Sequence, residues 1–130
     1  MVRKKSSEDI KKLKERYQKK TSFEVKEPFF GQLKDGTKRF EGRIDRGSWS
    51  LFEKDDIVYI NQNMCFEKSL RFKIINIFYY LNFEEALRDK GVDKVMPQKT
   101  FDEAVEEYQK IYDLTIQEDE GVMLMELERI

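Results

Sequence analysis

The sequence predicts an α+β domain whose sheet is strongly curved or barrel-like, and three observations carry that prediction. Strand-like segments come first and last in the body of the chain, near residues 23–26 and 121–127. Two capped helical stretches, opening at residues 82 and 100, are inserted between them. The terminal "VMLMEL" must pair with earlier strands to be stable. This order of elements is that of an α+β architecture, and 130 residues suit one domain with one core.

The elements follow in order. Ser6 or Ser7 caps a helix running to about Lys20, with Ile10, Leu13 and Tyr17 as a narrow apolar stripe. Ser22 to Lys26 alternates Phe23 and Val25 with polar neighbours, as a half-buried strand does. Pro28 suits the first position of a short helix over 28–35, and Gly36 suits the residue past its end. Residues 38–45 read as a strand with Lys38, Phe40, Gly42 and Ile44 on one face and Arg39, Glu41 and Arg43 on the other. Arg46 to Asp55 is a polar connection that holds the only tryptophan, Trp49. Two further strands are predicted over 57–60 and 70–80, the second with Leu70, Phe72, Ile74, Phe78 and Tyr80 on one face. Asn82 caps a helix over 83–89, and Thr100 with Glu103 opens another over 101–112. "QEDEG" reads as a loop before the last strand.

Hydrophobic and charged residues each make up 39% of the chain, and aromatic residues 13%. That is too aromatic for disorder and points to a folded body with a solvated, charged extension. The division expected is a basic helical extension over 1–21 and a domain over 22–130. The first twenty residues hold nine cations, Arg3, Lys4, Lys5, Lys11, Lys12, Lys14, Arg16, Lys19 and Lys20, against three acids, a net of +6. The remainder carries about −7 within an overall charge of −1. A basic arm on a mildly acidic body suits the phosphates of a polyanion such as RNA; a solubilising terminal helix would look the same.

There is no histidine, which excludes Ser-His-Asp and Cys-His catalysis and any His-ligated metal. No metal and no cofactor is expected. The single cysteine, Cys65, forbids an internal disulfide and suits an intracellular setting, cytoplasmic or nuclear. No apolar run is long enough to cross a membrane.

The candidate site is "GTKRFEGR", residues 36–43. Glu41 and Arg43 share a strand face and can pair. Lys38 faces the other way in strict alternation, but it follows the Gly36–Thr37 turn and can swing over the strand end. The expectation is that at least two of the three charged ends surround a polar depression walled by Trp49 or Tyr80. The alternative is a solvated, partly exposed ion pair. Trp49 is the stacking candidate; Tyr108 and Tyr112 are read as core packing.

The stretch "PFFGQLKDGTKRFEGRIDRGSWSLFEKDDIVYIN" resembles the opening of an ASCH (activating signal cointegrator homology) domain, with its G-x-K-x-x-E-x-R motif. The later "NIFYYLNFEEALRDKGVDKVMPQKTFDEAVEEYQKIYD" and "GVMLMEL" are also similar to that family, so the likeness covers about residues 23–127. It implies a PUA-like fold: a small β-barrel flanked by helices, with a polar cleft beside it. The family is regarded as RNA-binding or RNA-processing, and some members hydrolyse modified cytidines or RNA. In the amidohydrolase members the lysine matching Lys38 is catalytic, and a catalytic threonine stands where this chain has Glu41. Asp55 and Gln98 occupy positions where the family usually or often has glycine. Three functions follow: an RNA- or nucleotide-binding module using Lys38, Glu41, Arg43, Trp49 and Tyr80; a small hydrolase with Glu41 as base and Lys38 as electrostatic stabiliser; or a protein-interaction adaptor. The sequence leaves the choice, the RNA target and the oligomeric state open.

Overall fold

The computed structural model describes residues 3–63 and 65–130. Helix α1 (Ser7–Arg16) is opened by a reciprocal capping box: Ser6 Oγ accepts from the Asp9 N–H, and the Asp9 carboxylate accepts from the Ser6 N–H. It stops at Arg16 and does not reach Lys20. Tyr17 turns extended and lies beside Gly47, and Lys19 is held by Glu53 and Asp56 at 3.2 and 3.0 Å. The chain continues through β1 (Ser22–Val25), α2 (Phe29–Asp35), β2 (Phe40–Ile44) and a 3-10 helix over Gly47–Leu51. It then forms β3 (Ile57–Gln62), β4 (Cys65–Tyr80), α3 (Phe83–Lys90), α4 (Val92–Val95), α5 (Phe101–Ile111), α6 (Leu114–Glu120) and β5 (Val122–Arg129).

Several boundaries differ from the sequence reading for physical reasons. β4 begins at Cys65, not near residue 70, because its first residues pair with β3 from Gln62 and Asn61; Glu67, Lys68 and Ser69 are exposed and give that part no apolar period to read. "QEDEG" is not a loop: its first four residues belong to α6. That helix is capped by Asp113 and anchored by a polar core residue, Gln117. Gln117 accepts from the Phe83 N–H at 2.9 Å and donates to the Tyr112 carbonyl at 2.8 Å. The connection after Arg46 is less polar than expected, since Ser50, Leu51 and Phe52 are buried. Asp55 and Gln98, the two positions where the family usually or often has glycine, both have positive φ, 75° and 73°.

The five strands form one sheet in the order β1-β3-β4-β5-β2, with β1 parallel to β3 and the other pairs antiparallel. The sheet curls into a half-barrel flanked by helices. One core fills its concave side around Phe23, Phe52, Val58, Phe72 and Met123. A second lies between the sheet and α3–α5, around Phe40, Phe83, Leu87, Ala104 and Leu124. β5 serves both: Met123, Met125 and Leu127 face the first, Val122 and Leu124 the second. Burial on both faces explains its continuous apolar run.

A β-bulge in β4 between Ile74 and Asn76 shifts the phase of that strand. Before it, Phe72 and Ile74 face the first core. After it, Ile77 and Tyr79 do, and Phe78 and Tyr80 pass to the second. The expectation of one continuous face from Leu70 to Tyr80 is corrected by this single inserted residue.

Candidate functional site at the seam of the half-barrel

The curl brings the two edge strands, β1 and β2, towards each other without pairing them in a ladder. Arg43 on β2 spans the gap, its Nη2 donating to the Glu24 carbonyl of β1 at 3.0 Å. A cleft of about 640 Å³ opens at this seam, and Lys38, Glu41, Arg43, Trp49 and Tyr108 are among its lining residues. Residues Ser22–Val25 of β1 line it too, as do Phe29 and Met96.

Lys38 and Glu41 meet because Lys38 lies outside the strand. β2 starts at Phe40, so the alternation rule does not govern residue 38. The Lys38 N–H donates to the Gln32 carbonyl, and the Arg39 N–H to the Lys94 carbonyl. These bonds tie the turn to α2 and α4 and send the Lys38 side chain inward. Its Nζ donates to the Val95 carbonyl, lies 3.3 Å from Glu41 Oε1, and sits 5.3 Å from the Phe29 ring centroid. The other carboxylate oxygen, Glu41 Oε2, accepts from Arg43 Nε and Nη2 at 2.9 and 2.7 Å. The guanidinium lies over Trp49, 4.4 Å from the ring centroid, and 5.1 Å from that of Phe23.

The triad is not a solvated ion pair. The side chains of Lys38 and Glu41 are 2% and 10% exposed. Burial penalises the Glu41 carboxylate, yet the charges of Lys38 and Arg43 outweigh that and hold it below the ordinary carboxylate value. Burial also pulls the Lys38 ammonium below the usual lysine value, against the attraction of Glu41. The result is a buried carboxylate bridging two cations, with a net charge of about +1 facing the cleft.

Gly42 supplies the floor. A Cβ there would meet Tyr108 Oη at 2.5 Å and Phe83 at 2.9 Å, so only glycine lets these rings approach β2. Tyr108 stacks on Phe83 with centroids 3.8 Å apart, as its core assignment anticipated, but its hydroxyl also borders the cleft. Burial and the Glu41 charge push that hydroxyl upward, so it stays a neutral donor. It has no hydrogen-bond partner among the described residues. The sequence reading missed Tyr108 and Gly42 as site residues. It also missed Asn61 and Asn63 on the β3 side.

Trp49 lines the cleft as expected. Tyr80 does not: the bulge in β4 turns it to the second core, where its hydroxyl donates to Asp89 at 2.6 Å. The nine cations of the arm divide into two groups. Arg3 pairs with the buried Asp45 at 2.9 Å and lies over Tyr79. Lys4 donates to the Glu118 carbonyl, and Lys5 to the carbonyls of Asp45 and Glu120. With Lys19 these residues fasten the arm to the body. Lys11, Lys12, Lys14, Arg16 and Lys20 are exposed and have no ion-pair partner among the described residues; Lys20 stands at the rim of the cleft. Among the described residues, no group of three or more acidic or cysteine side chains is placed to hold a metal ion, and no helix is long and apolar enough to cross a membrane.

A curled five-stranded half-barrel with flanking helices and a polar seam cleft defines a PUA-like module. The chain belongs to the ASCH domain family, whose model matches residues 23–130. At the level of the family this supports an RNA-binding module. Two solved structures share the fold. The crystal structure of the hypothetical protein PH0355 is 28% identical with a TM-score of 0.74, covering 84% of this chain and 97% of that one. The solution NMR structure of protein PF0455 from Pyrococcus furiosus is 26% identical with a TM-score of 0.66, with the same coverage of 84% and 97%. A comparison with curated proteins gives no match.

Proposed function

We propose that this ASCH module binds single-stranded RNA by holding one unpaired nucleotide in the seam cleft, with neighbouring phosphates met by the outward cations of the arm. The observation that carries this reading is the placement of Arg43. Its guanidinium is fixed by Glu41 and Glu24 on one side and lies over Trp49, while Nη1 has no partner among the described residues. That leaves a planar, preorganised donor at the wall of an aromatic cleft, suited to a phosphate or a base carbonyl. The Tyr108 hydroxyl and the amides of Asn61 and Asn63 add groups for a base edge. An unpaired base presents such an edge and a face for stacking.

The hydrolase reading is weaker on chemical grounds. A general base works best with a proton affinity near the operating pH. Glu41 is held in the opposite direction by two cations, and both of its oxygens are engaged.

Fluorescence anisotropy with a labelled single-stranded RNA octamer tests the binding reading. Arg43→Ala and Arg43→Lys should each weaken binding by roughly 10-fold or more, the scale of a lost charge-assisted hydrogen bond. Glutamine at Lys11, Lys12, Lys14 and Lys20 should lower the slope of log K against log salt by up to about 0.7 per lost contact. Variants that fold and bind RNA as tightly as the parent, with the same salt slope, would overturn both parts.

A further inference from the structure

Strand β3 has an unusual outward face. Val58 and Ile60 point into the core, but Ile57 and Tyr59, on the other face, are 41% and 46% exposed. Large apolar side chains placed side by side on a solvated sheet face call for an explanation beyond folding. The register shows their surroundings. Tyr59 lies opposite Arg71 on β4 and beside Ser22 on β1, and Ile57 lies opposite Lys73. Lys73 is paired with Asp55 at 3.6 Å, whereas Arg71 is exposed and has no ion-pair partner among the described residues. On the other flank, Lys20 precedes Ser22 by two residues and lines the cleft. Asn61, the next residue on the Tyr59 face, lines the cleft as well. The exposed ring thus has Arg71 directly across from it and Ser22 on its β1 side, with Lys20 and the exposed Glu24 each two residues from Ser22 along the chain; it stands about 7 Å from the cleft by the rise of two strand residues.

We infer that the outer face of β1, β3 and β4 is a second nucleotide subsite, on which Tyr59 stacks the base next to the one held in the cleft while Arg71 and Lys20 meet its phosphates. The inference rests on the RNA reading of the cleft and extends its footprint to a second base. A cationic surface with an accessible aromatic ring is the arrangement that single-stranded nucleic acids use without base specificity. One ring and one isoleucine with Arg71, Lys73, Ser22 and Asn61 as polar neighbours on the face suit a stacked base better than a protein interface, which needs a larger contiguous apolar centre.

The test compares a mixed-sequence RNA octamer with the four ribonucleoside 5′-monophosphates. Tyr59→Ala should weaken octamer binding roughly 5- to 150-fold, the range for losing one base–aromatic stack. The affinity for the monophosphate that fits the cleft should move less than about 2-fold. Tyr59→Phe keeps the ring and should bind like the parent. Arg71→Ala should lower the salt slope by about 0.7. Octamer binding that depends on Arg43 but is unchanged in Tyr59→Ala overturns the second subsite and spares the cleft. Equal losses for octamer and monophosphate would place the effect of Tyr59 in the cleft or the fold, and overturn it too. Failure of the parent to bind the octamer overturns both this subsite and the RNA reading.

Discussion

Replacing Glu41 by glutamine should destabilise the protein far more than removing either of its partners, because Glu41 is the only acid in contact with Lys38 among the described residues. With glutamine at position 41, Lys38 keeps the Val95 carbonyl and the Phe29 ring but loses its countercharge. Breaking a buried pair in this way typically costs about 3–5 kcal/mol. An upper bound comes from Lys38 itself, which can shed its proton. Doing so at pH 7 from an ordinary value of 10.5 costs roughly 5 kcal/mol, at 1.36 kcal/mol per pH unit. Arg43 cannot replace the lost countercharge, because it is itself a cation and its charge disfavours the Lys38 ammonium. Lys38→Met is a different change. Glu41 keeps both contacts from Arg43, and the main loss is the unpaired Val95 carbonyl, about 1–2 kcal/mol.

Urea unfolding of the two single variants and the double variant measures this directly. Glu41→Gln should lie at least about 1.5 kcal/mol below Lys38→Met, and the double variant should be more stable than Glu41→Gln alone. The pH dependence has a defined sign. In Glu41→Gln the folded value of Lys38 falls further below its unfolded value, so the unfolded chain binds more protons between the two, and stability rises with pH across that window. In the parent, Glu41 is held low. Its contribution is present above the unfolded carboxylate value and is lost as pH falls through the folded one. Single variants of equal stability, or additive effects in the double variant, would show that the triad is not a buried charge network in solution.

Other perturbations follow from the same geometry. Arg3→Met strands the buried Asp45 carboxylate and should cost about 1.5–3 kcal/mol by urea unfolding; a loss below about 0.5 kcal/mol would mean that the arm is undocked in solution. Gly42→Ala puts a Cβ 2.5 Å from Tyr108 Oη, against a ring already stacked on Phe83, and should lower stability by about 1–3 kcal/mol in thermal melts. Gln98→Gly relieves a side chain held at φ 73° and should stabilise the fold by up to about 1 kcal/mol; a destabilised variant would mean that Gln98 is held there by contacts worth more than its strain.

What could be read from the sequence divides along local and non-local lines. Helix caps at Ser6, Asn82 and Thr100 are local hydrogen-bond chemistry, and all three appear. The association of Glu41 with Arg43 follows from strand alternation, and the entry of Lys38 follows from the turn at Gly36–Thr37. Their burial was not legible. It depends on α4 presenting the Val95 carbonyl and on α5 bringing Tyr108 over β2, contacts far apart in the chain. Tyr80 was misplaced because one bulge residue, invisible to a period-two count, inverts the face of everything after it. α6 was missed because its anchor is a buried glutamine, which no hydrophobic pattern reports.

The seam explains why the residues that hold the sheet edges together are also the ones proposed to bind. An open sheet leaves two edges whose unpaired amides and carbonyls need partners. A closed barrel would satisfy them with a ladder and leave no cleft. Here Arg43 satisfies the Glu24 carbonyl with a side chain, and the carboxylate that positions Arg43 is itself held by a lysine buried against Val95. The half-barrel is therefore joined at the seam by a guanidinium, not by backbone. In the proposed reading that junction accepts a ligand on Nη1, which has no partner among the described residues, without losing its bonds to Glu41 and Glu24. A nucleotide that approaches from the cleft side would meet a donor already oriented and already desolvated on its far side, which lowers the ordering cost of binding. The charges at the site do not need to move to recognise it.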